Sequence, residues 1–148
     1  MRANRPPYSL DDSLGHLASN ASRAVLKRIN QELARRGFPL TSEQFSVMVH
    51  VWDQSGRPQY ILAERLYKDK TTMARLVAGL EAQGVLTRAP GQEDAREKIV
   101  FLTEKGKAVM TQVADLVSEI LETGQKGIKK EDLATCKEVL RRFHRNLL

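Results

Sequence analysis

Apolar residues recur at intervals of three and four along the first quarter of the 148-residue chain. This spacing places them on one face of a helix, which we predict to begin near Ser9 and to be ended by Gly37 and Pro39. The residues on this stripe are Leu10, Leu14, Leu17, Ala21, Ala24, Val25, Ile29 and Leu33. Residues 1–8 carry no such stripe, and we expect them to form a disordered arm.

Three shorter helices are predicted next, between residues 41 and 84. Thr41 and Gln44 form a capping-box pattern at the start of the first, and Gly84 is a suitable residue to follow the end of the third. Their inward-facing residues are Phe45, Met48, Val49 and Trp52 in the first, Ile61, Leu62 and Leu66 in the second, and Met73, Leu76, Val77 and Leu80 in the third.

The pattern then changes to one typical of strands. Residues 85–89 and 98–102 are β-branched and apolar enough for two short strands, and the polar loop 90–97 between them predicts a β-hairpin with a long tip. Helical stripes return after Thr103, with interruptions at Gly124 and Gly127. The residues that we predict to face inward from the last helix are Leu133, Cys136, Val139, Leu140, Phe143 and Leu147.

The order of these elements predicts a mainly α protein with a small β-hairpin wing. Three short helices followed by a hairpin are the order of a winged helix-turn-helix, which we place at residues 41–102. This lobe lies between a long helix at 9–37 and long helices at 103–148, so that the chain forms one domain overall.

The outward face of the third short helix has the chemistry of a DNA contact. With its apolar residues turned inward, this helix presents Lys70, Thr71, Thr72 and Arg75 to solvent. Hydroxyls can bond to phosphates or base edges, and an arginine can pair with guanine through two hydrogen bonds. Arg96, at the tip of the hairpin, suits a narrow and electronegative minor groove. Double-stranded DNA is therefore an expected partner, and an ordinary solvated helix face is the alternative that the pattern alone leaves open.

Two segments carry a resemblance to a known family. The sequence from Asp69 to Leu86 resembles the recognition-helix segment of the MarR family of bacterial transcriptional regulators. The pattern Asp94-x-Arg96-x-x-x-Val100-x-Leu102-Thr103-x-x-Gly106 is similar to the wing signature of that family. The resemblance extends from about residue 10 to 147, and it implies that Arg96 contacts DNA while Asp94 orients it. Ala95 stands where many members have a second arginine, which weakens the expected wing contact.

The resemblance also implies an assembly and a mode of regulation. The apolar stripes of the terminal helices need a partner surface, and family members form homodimers through these helices. A twofold dimer predicts an inverted-repeat operator with half-sites roughly 34–36 Å apart, most often one at which the protein acts as a repressor. Many members bind small aromatic acids or phenols between the dimer helices and the DNA-binding lobe. Candidate contacts for such an effector are His16, Arg23 and Trp52, although none belongs to a matching motif.

Charge and composition leave one alternative open. The formal net charge is +6, but residues 41–102 carry eight basic and eight acidic side chains and are neutral. A winged-helix module that binds proteins and not DNA would also fit this neutral middle region. No stretch is long and apolar enough to span a membrane, and with a single cysteine nothing calls for an oxidising compartment, so we expect a cytoplasmic protein.

Other chemistries find little support in the sequence. We find no arrangement typical of a catalytic site or a phosphate loop, and we expect neither an enzyme nor a cofactor. His16, His50 and His144 lack the spacing of metal ligands, so no metal site is predicted. We expect Cys136 to pack inside the protein, where burial disfavours the reactive thiolate. A cysteine-based redox-sensing regulator, which would need this thiol to react readily, is a further alternative.

Overall fold

The computed structural model describes residues 8–54 and 56–148, so that nearly all of the predicted N-terminal arm lies outside the described residues. A single 3-10 turn at Leu10–Asp12 precedes the first helix. The helices are α1 (Leu14–Arg35), α2 (Ser42–Asp53), α3 (Gln59–Arg65), α4 (Lys70–Ala82), α5 (Glu104–Gln125) and α6 (Lys130–Asn146). The strands are β1 (Arg57–Pro58), β2 (Leu86–Pro90) and β3 (Lys98–Leu102). Within the described ranges, no helix combines the length and the apolar character that crossing a membrane requires.

The first helix begins later than the sequence predicts. Ser9 precedes only the 3-10 turn, and α1 starts after Ser13, whose side chain accepts a hydrogen bond from the His16 backbone amide at 3.3 Å. The extended backbone of Ser13 separates the two pieces. The predicted end is confirmed, because Gly37 has a φ of 75° and allows the Phe38 amide to reach back to the Leu33 carbonyl at 2.9 Å.

The second helix has the predicted start, and Phe45 and Met48 of its predicted inward stripe are buried. The Thr41–Gln44 capping box is present, with both of its hydrogen bonds formed. Val49 and Trp52, predicted to face inward, are 37% and 53% exposed, whereas Val47 and Val51 are fully buried. Since α2 contacts α1, α4, α5 and β3, its buried face is broad and rotated away from the predicted stripe.

The predicted hairpin is confirmed and has a third strand added to it. The strands form an antiparallel sheet in the order β1-β3-β2, in which Arg57 and Arg88 both lie opposite Val100 of the central strand. A two-residue strand such as β1 is too short to show an alternating pattern in the sequence. The sheet is thus attached to the start of α3 through Pro58.

Helix α5 joins the lobe to the C-terminal region. Thr103 caps it by accepting a hydrogen bond from the Gly106 amide at 3.0 Å, as its position in the sequence predicts. Gly124 does not interrupt α5, which continues to Gln125 and ends before Gly127, where φ is 80°. The hydrophobic core collects side chains from α1, α2, α3, α4, α5 and the sheet.

Helix α6 has no buried residue in the single chain. Cys136, predicted to lie on the inward apolar face of α6, is exposed. Leu133 and Leu140 on that face are half-buried. Val139, Phe143 and Leu147 on that face are 47%, 40% and 73% exposed.

Candidate nucleic-acid interface

The candidate recognition helix is α4, and its orientation follows the predicted pattern. Met73, Leu76, Val77 and Leu80 are all buried, at the spacing i, i+3, i+4, i+7. They pack α4 against α2 and α3. The opposite face therefore carries the exposed residues Lys70, Thr71 and Arg75.

Thr72 differs from its exposed neighbours in that its side chain is bonded within the first turn of α4. Asp69 caps α4, and its carboxylate accepts hydrogen bonds from the Thr72 backbone amide at 2.7 Å and from the Thr72 hydroxyl at 2.9 Å. The amide bond, followed by the hydroxyl bond, holds the pKa of the Asp69 carboxyl below its ordinary value. The half-buried Thr72 hydroxyl thus donates to the start of the helix, and its proton is not directed outward.

The wing is the loop between β2 and β3, and a compact turn closes it. The Gly91 amide donates to the Glu97 carbonyl at 2.9 Å, and the Glu97 amide donates to the Asp94 carbonyl at 3.0 Å. The Asp94 carboxylate accepts from the Arg96 backbone amide at 2.9 Å and lies 3.5 Å from the Arg96 guanidinium. The Arg96 side chain is 95% exposed, so this weak pairing leaves it available to another anion.

A groove of about 410 Å³ separates the wing from the start of α4. It brings Lys70 of the helix and Arg96 of the wing together on one surface, with Asp94 beside them. The groove is lined by Gln59, Tyr60, Ala63, Lys70, Met73, Ala74, Asp94, Arg96, Glu97 and Lys98. The two basic residues that the sequence assigned to separate elements therefore share one site.

The groove also includes residues that the sequence does not predict as site residues, among them the polar or charged Gln59, Tyr60 and Lys98. Gln59 and Tyr60 are the first two residues of α3, and their place in the site depends on how α3 meets α4. Lys98 opens β3 and was assigned only to a strand. Its basic character at the base of the wing was the one signal in the sequence that could have identified it.

Ion pairs engage some of the charged side chains of the neutral lobe and not others. Glu43 pairs with Lys68 at 2.8 Å, and Glu81 pairs with Arg88 at 2.8 Å. Across the described residues, no ion pair involves Lys70, Arg75 or Lys98. Each pair engages one basic and one acidic side chain, so the lobe stays neutral overall, but the basic side chains on the exposed face of α4 and at the base of the wing remain available to DNA.

The three residues predicted as effector contacts do not meet at one cavity. His16 bonds to Asn20 at 3.0 Å on α1, Arg23 is exposed, and Trp52 is half-exposed on α2. A cavity of about 460 Å³ lies instead between α1 and α5. Its lining residues are Ala24, Val25, Arg28, Glu32, Arg35, Arg36, Glu119, Ile120, Thr123 and Gly124.

The remaining histidines make ordinary hydrogen bonds. His50 Nδ1 lies 2.9 Å from the Ser46 carbonyl oxygen, within α2. His144 Nε2 lies 2.8 Å from the Tyr67 hydroxyl and so links the end of α6 to the turn before α4. In the described ranges, no three His, Cys, Asp or Glu side chains are grouped as a metal site would require.

Comparison with known proteins places the DNA-binding lobe in a family of transcriptional regulators. The model of the MarR family matches residues 40–98. YybA of Bacillus subtilis strain 168, an uncharacterized HTH-type transcriptional regulator, is 32% identical over 108 residues, which are 73% of this chain and 72% of YybA.

Solved structures are similar over almost the whole chain. A MarR-family transcriptional regulator from Rhodococcus sp. RHA1 has a TM-score of 0.82 at 25% identity, covering 91% of this chain and 94% of that one. CouR from Rhodococcus jostii RHA1, crystallised with p-coumaroyl-CoA, has a TM-score of 0.78 at 25% identity and the same coverage. The order of the helices, the wing and the similar proteins all indicate one family. The chain belongs to the MarR family of winged-helix transcriptional regulators.

Proposed function

We propose that this regulator binds an inverted-repeat operator as a homodimer, with α4 in the major groove and the wing at the neighbouring minor groove. The observation that carries the proposal is the shared groove between Lys70 and Arg96, next to an exposed and unpaired Arg75 within the described residues. A cationic surface formed jointly by a helix and a hairpin suits the curved, negatively charged surface of duplex DNA.

Each basic residue has a distinct task in this proposal. Arg75 lies one turn into α4 and reads a base edge, because its guanidinium is free to form two hydrogen bonds with guanine. Lys70 and Thr71 contact phosphates from the first turn of α4, and Thr72 contributes by fixing that turn through Asp69. Arg96 enters the minor groove, with Asp94 holding the turn that carries it.

We further propose that residues 9–37 and 103–148 form the dimer and that residues 41–102 form the DNA-binding lobe. Apolar side chains that a single chain leaves uncovered lie in the 3-10 turn and the first half of α1, at the end of α5 and in the link after it, and along α6 and directly after it. These side chains are Leu10, Leu14, Leu17, Leu121, Ile128, Val139, Phe143 and Leu147. An exposed apolar surface of this extent is typical of a protein interface.

Repression relieved by a small aromatic ligand completes the proposal. CouR, a similar protein, was crystallised with p-coumaroyl-CoA, which contains an aromatic group. The cavity between α1 and α5 has apolar walls and a rim on which arginines pair with Glu32 and Glu119, and its apolar volume supports an aromatic effector better than the separate positions of His16, Arg23 and Trp52. Ligand binding between these helices would move them relative to the lobe.

Redox sensing is a second candidate function, favoured by the exposure of Cys136 in the single chain. A sensing thiol has to be accessible and to react as a thiolate. Rapid alkylation of Cys136 in the native dimer, accompanied by loss of DNA binding, would support redox sensing. Slow alkylation would leave ligand release as the mode of regulation.

The proposal is tested by titrating the protein with the duplex upstream of its own gene over a series of salt concentrations. The logarithm of the affinity should fall linearly with the logarithm of salt, with a slope on the order of −4 to −8 per dimer. A scrambled duplex of equal composition serves as the control. Equal affinity for both duplexes, or no binding at all, would favour a winged-helix module that binds proteins.

A further inference from the structure

Arg88 lies where the recognition helix, the wing and α3 meet. We infer that it is a positioning residue that fixes the angle between α4 and the wing, and thereby the spacing between the base pairs read by α4 and the minor groove reached by Arg96. This inference rests on the proposed DNA-binding function. Arg88 itself is not assigned a DNA contact.

The contacts of Arg88 join three elements. From the middle of β2, its Nε donates to Glu81 Oε2 at 3.2 Å and its Nη2 donates to Glu81 Oε1 at 2.8 Å. Its Nη1 donates to Gln59 Oε1, at the start of α3, at 3.3 Å. A guanidinium bound to a carboxylate through two parallel hydrogen bonds has a fixed orientation that a single bond would not impose.

The surroundings of Glu81 make the pairing with Arg88 persistent. The Arg88 and Glu81 side chains are only 24% and 35% exposed, so the pair is less screened by water and salt than a pair on the open surface. Glu81 lies in the last turn of α4, where the helix dipole disfavours a carboxylate, and Arg88 offsets this effect. The hydrogen bond from Arg88 accordingly lowers the pKa of the Glu81 carboxyl.

The position of the pair determines what it can control. A tight turn at 83–85 connects α4 to the start of β2. Arg88 fixes β2 further along, opposite Val100 of β3, on the way to the wing tip. Its other partner, Gln59, lines the groove that holds Lys70 and Arg96. A change in the Arg88 contacts would therefore alter the wing without altering the buried face of α4.

The decisive experiment is a double-mutant cycle measured on operator affinity. Arg88→Lys keeps the positive charge but loses the paired hydrogen bonds. It should lower the affinity of wild type by roughly three- to tenfold, within the range for coupled residues. In an Arg96→Ala background, where the wing no longer contacts DNA, the same change should lower the affinity by less than about twofold. Equal losses in both backgrounds would overturn the inference.

Two further measurements separate a positioning role from general destabilisation. Hydrogen exchange of the free protein should be faster at the wing amides of Arg88→Lys, while exchange in α2 stays unchanged. Glu81→Gln removes the charge of the carboxylate that pairs with Arg88, and it should reproduce both the loss of affinity and the faster wing exchange. It replaces Arg88→Lys in these measurements if Arg88→Lys folds poorly. Arg65→Lys is the control for the arginine-to-lysine exchange itself, because Arg65 is exposed on α3 and does not line the groove.

The outcomes also distinguish this inference from the proposed function. If wild type binds no duplex, the proposed function fails and the inference about DNA reading fails with it. If wild type binds its operator but wing exchange is unchanged in both Arg88→Lys and Glu81→Gln, the function stands and the positioning role is wrong.

Discussion

At the scale of single residues, the buried guanidinium of Arg57 has the most unusual surroundings. Its side chain is 2% exposed, and its one ion-pair partner in the described part of the chain is Asp53, at 3.3 Å. Its Nε and Nη1 have no hydrogen-bond partner among the described residues. A buried charge that is incompletely paired costs free energy, which an apolar side chain of similar length would not.

We therefore expect Arg57→Met to leave the free energy of unfolding unchanged or to raise it by about 1–4 kcal/mol. Asp53→Ala should lower the free energy of unfolding, because it removes the carboxylate that pairs with the buried Arg57 guanidinium. Urea denaturation of both variants tests the pair. Substantial destabilisation by Arg57→Met would mean that Arg57 has partners that stabilise it.

The roles of Arg75 and Arg96 are also separable at this scale. Arg75→Ala should cost roughly 1–3 kcal/mol of binding free energy and relax the preference at one position in each half-site. Arg96→Ala should weaken binding broadly, and its sequence effect should be confined to A·T content at the operator flanks. Affinities for a panel of single-base operator variants measure both. The assignment is reversed if Arg96→Ala removes discrimination at one central base pair.

At the scale of secondary-structure elements, the junction of α4, β2 and α5 depends on a close backbone approach. A Cβ added to Gly106 would lie 2.1 Å from the Val85 carbonyl oxygen and 3.0 Å from the Leu102 side chain. The Thr103 hydroxyl donates to the Gly84 carbonyl at 2.6 Å and fixes the same approach. The Thr-x-x-Gly part of the wing signature thus holds the start of α5 against the end of α4.

Gly106→Ala should consequently destabilise the protein by at least about 1–3 kcal/mol, because backbone atoms have to move apart. Gly124→Ala is the control, since a Cβ there meets no atom within 4 Å and alanine favours the helix. Thermal unfolding of both variants makes the comparison. A Gly106→Ala variant as stable as wild type would show that the junction adapts easily.

Elements that are specified locally could be predicted from the sequence. The caps at Thr41 and Thr103, the buried stripe of α4 and the hairpin all follow from residues close together in the chain. Contacts between distant elements could not be predicted. Strand β1, the rotated face of α2 and the Arg88–Glu81–Gln59 contacts exist because tertiary packing brings separate segments together. The same applies to the groove, whose α3 residues carry no recognisable motif of their own.

At the scale of the whole molecule, the exposed apolar residues of α1 and α6 predict a dimer. Replacing Leu14 and Leu17 with glutamate should give a monomer with an intact lobe, since both side chains are exposed and lie outside the hydrophobic core. Ala78→Glu is the control, because Ala78 is exposed on α4 and should not affect assembly. Sedimentation at micromolar concentration measures the result. A monomeric wild type would contradict the dimer.

The central claim is that two copies of α4 and the wing read one symmetric stretch of DNA. Selection of binding sites from a pool of random duplexes tests it most directly, because no sequence is assumed beforehand. The selected duplexes should share an inverted repeat with half-site centres about one helical turn apart, and Arg75→Ala should relax one position in each half. Selection of no common sequence, or of a single asymmetric site, would contradict this account.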